Sequence, residues 1–141
     1  GIINTDVAQA VRRRLYLNHT DIKMLFKVNP ESDVYLAERS LQKITKSILF
    51  HCFPDGLCVS GVSAGSETDD DILKDVKAVA DSVPVFCNTG CTAQNVAQKL
   101  SVVDGVCVGT AFKKDGKFEN QVELQRVVEF MDAVRAYRAT K

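Results

Sequence analysis

Short, unbroken apolar runs recur along this chain, and each is followed by a stretch with helical spacing. The runs cover residues 22–28, 56–60, 83–87 and 105–109. A strand that hides one face alternates apolar and polar residues. These runs do not alternate, so both faces are predicted to be covered, as in a parallel sheet. Repetition of strand and helix is the α/β pattern.

The intervening stretches carry apolar stripes at helical period. Residues 6–16 place Val7, Ala10, Val11 and Leu15 on one face, with Asp6 as a cap. Residues 36–50 offer Leu36, Ile44, Ile48 and Leu49 to the core, and residues 72–80 offer Ile72, Leu73, Val76 and Val79. Residues 92–100 form a helix behind the N-cap Thr92. Residues 122–137 carry Val127, Val128, Phe130, Met131 and Val134. Asn29-Pro30 stops the first strand, and residues 63–71 read as a polar loop.

No linker or low-complexity segment divides the units, so residues 1–141 are expected to form one domain. A closed parallel barrel needs eight strand–helix units, typically ~250 residues. This chain has four. Either the other half of a (β/α)8 barrel is supplied elsewhere, or the sheet stays open, or two copies pair.

Composition narrows the function. A net charge of zero excludes the basic excess of a nucleic-acid footprint. The Arg12-Arg13-Arg14 run is predicted to be a solvated helix face. No apolar stretch approaches the ~20 residues that span a bilayer, and Gly1 opens no signal peptide. Five cysteines, an odd number and several within strands, suit a reducing compartment: cytoplasm or an organelle matrix. No C-x2-C pair is present, so no zinc site and no cofactor is expected.

In parallel α/β folds, ligands sit at the C-terminal ends of the strands. After the third strand come Asn88-Thr89-Gly90-Cys91-Thr92, and after the fourth Gly109-Thr110-Ala111-Phe112. Glycine allows close approach of backbone to a ligand, and helix N-termini present free N–H groups to anions. Two such lips on neighbouring strands fit a phosphate site at Gly90, Thr92, Gly109 and Thr110, taking a sugar phosphate or a nucleotide. The plainer alternative is that both glycines only turn the chain. Ser60, Gly61 and Gly65 form a second ligand-loop candidate, or a flexible turn. Lys27 either faces the barrel interior or points into solvent; the second is preferred. Cys91 stands near a helix N-terminus, which would lower its pKa. Neither His19 nor His51 falls at a strand end to serve as its base.

The run S-V-P-V-F-C-N-T-G-C-T-A-Q-N-V from Ser82, and D-G-V-C-V-G-T-A-F-K-K-D-G from Asp104 to Gly116, resemble the BtpA family. So do Ser60-Gly61 with Gly65, and the opening G-I-I-N-T-D-V-A. The G-T-x-x-K-K-D-G segment is the most specific piece. The resemblance implies a parallel (β/α)8 TIM barrel of the ribulose-phosphate-binding type, of which this chain supplies about the last four units, the first half lying upstream. Members are associated with photosystem I biogenesis in cyanobacteria and with sugar phosphotransferase gene clusters, and no established reaction comes with the name. One departure stands out. The family pattern after the first strand here is roughly D-V-H-V-K-H, whereas this chain has Lys27-Val28-Asn29-Pro30-Glu31-Ser32; Asn88 also replaces a common glycine. The groups suited to acid–base work are thus replaced. Three readings stand: an enzyme-like phosphate binder, from the paired loops at Gly90 and Gly109; a non-catalytic assembly factor, from the replaced acid–base positions; and a half-barrel that forms a homo-oligomer, from the two sheet edges that four strands leave.

Overall fold

The computed structural model describes residues 2–31, 33–63 and 65–141. Gly1 and Ser32, which figured in the likeness above, lie outside the described residues. The elements alternate as expected. They are α1 (Val7–Tyr16), β1 (Leu25–Lys27), α2 (Leu41–Cys52), β2 (Gly56–Val59), α3 (Asp70–Lys77), β3 (Val85–Cys87), α4 (Val96–Val102), β4 (Gly105–Val106) and α5 (Leu124–Arg138).

The strands pair in parallel in the order β1-β2-β3-β4. Leu57 stands beside Phe26 and Val85, and Phe86 beside Cys58 and Gly105. Sequential order with crossovers of one hand puts every helix on the same side of the sheet. That side carries Val28, Leu57, Val59, Val85 and Cys87, all fully buried, against Ile44, Leu73, Val76, Val96, Phe130 and Val134. The other side carries Leu25, Lys27, Cys58, Phe86 and Cys107 and, among the described residues, no helix of the core. A sheet with one helical face is a stretch of barrel wall.

Burial on both faces therefore holds for the central strand β2, whose four residues are all buried. It fails at β1, where Leu25 and Lys27 are exposed, because β1 is an edge and this face has no second layer. Phe86 fills part of that face. A Cβ on Gly105 would lie 2.7 Å from its ring, and one on Gly56 2.9 Å from it.

Several element boundaries move. The helix expected from residue 36 begins at Leu41, where the Ser40 hydroxyl accepts from the Lys43 N–H. Leu36 is consequently exposed rather than part of the core. Leu15 is exposed too, as are Ala10 and Val128; α1 packs only lightly, through Val7 and Val11, and buries no residue fully. Asp6 does cap α1, accepting from the Gln9 N–H at 2.8 Å. The arginine run is not uniformly solvated. Arg14 folds inward, donating to Asp55 at 2.7 Å and to the Ile22 carbonyl at 3.0 Å, while Arg12 and Arg13 stay exposed. The α4 helix starts at Val96, four residues after Thr92. Thr92 still caps the preceding turn: its hydroxyl accepts from the Asn95 N–H, its own N–H donates to Asn95 Oδ1, and its carbonyl accepts from the Val96 N–H. That reciprocal pair is a capping box with asparagine in the glutamate position.

Candidate functional site

The loop after β3 is braced from beneath. The buried Thr89 hydroxyl accepts from the Gly61 N–H at 2.8 Å and donates to the Ser66 carbonyl at 3.0 Å. Thr68 Oγ1 donates to the Thr89 carbonyl. Gly90 has φ +72°, and a Cβ there would lie 2.2 Å from the Ser66 carbonyl oxygen. The space that glycine frees is thus taken by the Ser66–Glu67 backbone rather than left open to a ligand, as a close-approach role would need.

Gly109 lies beyond the end of β4 and faces open space. Nothing lies within 4 Å of a Cβ built on it. A 3-10 turn, Thr110–Phe112, follows it. The N–H groups of Gly109, Thr110 and Ala111, and those of Ala93 and Gln94 across the way, donate to no acceptor among the described residues. These residues line one cavity of about 420 Å³, together with Gly65, Gly90 and Thr92. Gly65 reaches it by lying against the Thr110 side chain, its Cβ position 3.3 Å from the Thr110 methyl. The four residues expected to form a lip, Gly90, Thr92, Gly109 and Thr110, are brought together at the C-terminal ends of β3 and β4.

Charge at this cavity comes from residues outside the expected site set. Lys113 lines it and donates to the Phe118 carbonyl at 2.6 Å. Arg126, in the first turn of α5, lines it and pairs with Glu123 at 2.9 Å. Glu129 is the carboxylate of the wall.

Ser60, Gly61 and Lys27 do not reach the cavity. Ser60 is fully buried and clasped by asparagines. Asn29 accepts from the Ser60 N–H at 2.9 Å and donates to its carbonyl at 2.7 Å, and Asn88 Nδ2 donates to its hydroxyl at 3.1 Å. Asn88 also donates to Glu31, whose carboxylate lies 3.6 Å from Lys27 Nζ. Lys27 stands on the helix-free face and is largely solvated. Asn29, Ser60, Asn88, Glu31 and Lys27 thus form one run of polar contacts across the mouths of β1, β2 and β3. His19 is exposed beside Asp21, and His51 is exposed at the end of α2.

Cys91 does not have the lowered pKa its position suggested. It is buried and its thiol donates to Cys87 Sγ at 3.3 Å; that bond and burial push Cys91 up, and the same bond pulls Cys87 down. Lys99 was also missed. It is buried on α4, its ammonium bonded to the Thr68 carbonyl at 2.7 Å, Asp70 at 2.6 Å and Glu67 at 2.8 Å. Burial alone would lower its pKa, but the hydrogen bonds to Asp70 and Glu67 outweigh it and raise it. Through those bonds Lys99 fixes the segment on which Gly90 rests. Among the described residues, no group of three His, Cys, Asp or Glu side chains is placed to hold a metal ion. None of their helices is long and apolar enough to cross a membrane.

A one-sided parallel sheet with its cavity at the strand C-termini defines a partial (β/α)8 barrel. The N-(5'-phosphoribosyl)anthranilate isomerase of Pyrococcus furiosus has the same fold: TM-score 0.58, 17% identity, 91% of this chain and 57% of that one. The chain belongs to the BtpA family, whose match covers residues 1–136. It is 41% identical to the sgc region protein SgcQ of Escherichia coli over 138 residues, 98% of this chain and 52% of that protein. The Photosystem I biogenesis protein BtpA of Synechocystis is 25% identical over 134 residues, 95% of this chain and 46% of that protein. The chain therefore spans about half the length of these relatives.

Proposed function

We propose that this segment of the barrel binds the phosphate of a small phosphorylated molecule, a sugar phosphate or a nucleotide, between the β3 and β4 loops. The observation that carries the reading is that Ala93, Gln94, Gly109, Thr110 and Ala111, whose N–H groups donate to no acceptor among the described residues, line one cavity from two adjacent loops. Such groups bind anions without needing a side-chain charge. The Thr92 and Thr110 hydroxyls and the Arg126 guanidinium supplement them. Calorimetric titration with inorganic phosphate tests it. Saturable binding that Gly109→Asp removes is expected, since the new carboxylate would enter the open space at Gly109. Absence of binding in the unsubstituted chain overturns the reading.

A second reading, a non-catalytic assembly factor, is supported by the Asn29–Ser60–Asn88 clasp, which occupies the strand mouths with groups that do not transfer protons at neutral pH. The biogenesis role in the name of the Synechocystis relative agrees with it. Turnover of a phosphorylated substrate that Gly109→Asp abolishes would count against it. The exposed edges at β1 and β4 favour pairing with a complementary half-barrel or a second copy. Light scattering that gives a monodisperse monomer would exclude self-pairing.

A further inference from the structure

Away from the lip, the cavity wall is largely carbon. Phe112 and Phe130 line it but are committed to each other, edge to face with centroids 5.2 Å apart. Phe118 is different. It lines the same cavity, is 67% exposed, and joins no core cluster. Nor is it loosely hung. The loop that bears it is closed by the Lys113–Val122 bridge, by the Lys114 N–H on the Gln121 carbonyl, and by Asn120 on the Lys114 carbonyl. Lys113 Nζ bonds the Phe118 carbonyl and lies 5.0 Å from the centroid of its ring. A large apolar side chain is thus held at the rim, its ring contacted by an ammonium and still largely open.

A bare sugar phosphate fits this wall poorly. It would leave the apolar surface of Ala111, Phe112 and Phe118 without a partner. A planar heterocycle gains from stacking on an aromatic ring. Glu129 supplies an acceptor for ribose hydroxyls. We propose that the cavity takes a nucleotide, its phosphate at the Gly109 lip and its base stacked on Phe118. The inference rests on the phosphate reading of the same cavity.

The test is calorimetric titration with inorganic phosphate, ribose 5-phosphate and adenosine 5'-monophosphate. The nucleotide is expected to bind about tenfold or more tighter than ribose 5-phosphate, the scale of one base–aromatic stack. Phe118→Ala should remove most of that advantage and leave the other two affinities unchanged, while Phe118→Tyr should keep it. Equal binding of nucleotide and ribose 5-phosphate, or a Phe118→Ala loss shared by all three ligands, overturns the nucleotide assignment and leaves the phosphate site standing. Failure of all three to bind overturns both.

Discussion

The Ser66 carbonyl oxygen fills the place where a side chain on Gly90 would begin, 2.2 Å from the Cβ position. Two loops that leave neighbouring strands are packed backbone to backbone there. Gly109, on the next loop, has open space at the same position. The two lip glycines therefore predict opposite phenotypes. Gly90→Ala should destabilise the chain by about 2–4 kcal/mol in urea unfolding, through its positive φ and the clash. Gly109→Ala should cost under about 1 kcal/mol and weaken phosphate binding instead.

Lys99→Met should destabilise by about 2–3 kcal/mol. Breaking a buried ion pair costs about 3–5 kcal/mol, and the exposure of Glu67 reduces that here. Because the Glu67–Asp70 segment supports Gly90, hydrogen exchange at Thr89 to Cys91 should also speed up. Unchanged exchange would refute the support.

Acid should unfold the chain through three aspartates. Asp55 is held below the ordinary 3.8 by hydrogen bonds from Met24 and Arg14. Asp70 is lowered by hydrogen bonds from Lys99 and Gln98. At Asp104 burial opposes the shift, but Lys77 and the Val85 N–H outweigh it. A carboxylate with a depressed folded-state pKa stabilises above its unfolded value and loses that contribution as pH falls through the folded value. Tm should accordingly drop below about pH 4, and less steeply in Asp70→Asn than in the unsubstituted chain.

Asn29→Ala removes both hydrogen bonds to the buried Ser60 backbone. A loss of about 1.5–3 kcal/mol is expected from leaving that N–H and carbonyl unpaired, with phosphate affinity unchanged because Asn29 does not line the cavity. A parallel fall in affinity would show that the clasp also sets the lip.

Thiol titration should separate the cysteines by burial. Cys58, Cys87 and Cys91 are buried, whereas Cys52 and Cys107 are partly accessible. Ellman's reagent should react with no more than those two in the folded chain and with five in urea.

What the sequence discloses is set by the range of the interactions involved. The apolar run at Leu57 to Val59 and the stripe Ile72, Leu73, Val76 and Val79 are local patterns, and the central strand and its helix follow from them. That Gly90, Thr92, Gly109 and Thr110 gather at one cavity was legible for the same reason, since they stand in short motifs after β3 and β4. Lys99 looks like an ordinary helix-surface lysine; its acceptor Thr68 lies 31 residues earlier, across a packing that no local pattern records. Asn29 and Ser60 are likewise separated by 31 residues. Leu36 is apolar, yet it lies ahead of the helix because the Ser40 cap starts α2 at Leu41.

The ring of Phe86 lies over two strands that have no side chain beneath it, at Gly56 and Gly105. That arrangement makes volume a shared quantity among three strands. Phe86→Ala would empty the space and Gly56→Val would overfill it, so either change alone is penalised while the pair can offset one another. Positions 56, 86 and 105 should therefore be exchanged as a set when this wall is grafted onto another half-barrel. Separate swaps at these strands would test the graft's packing before its binding.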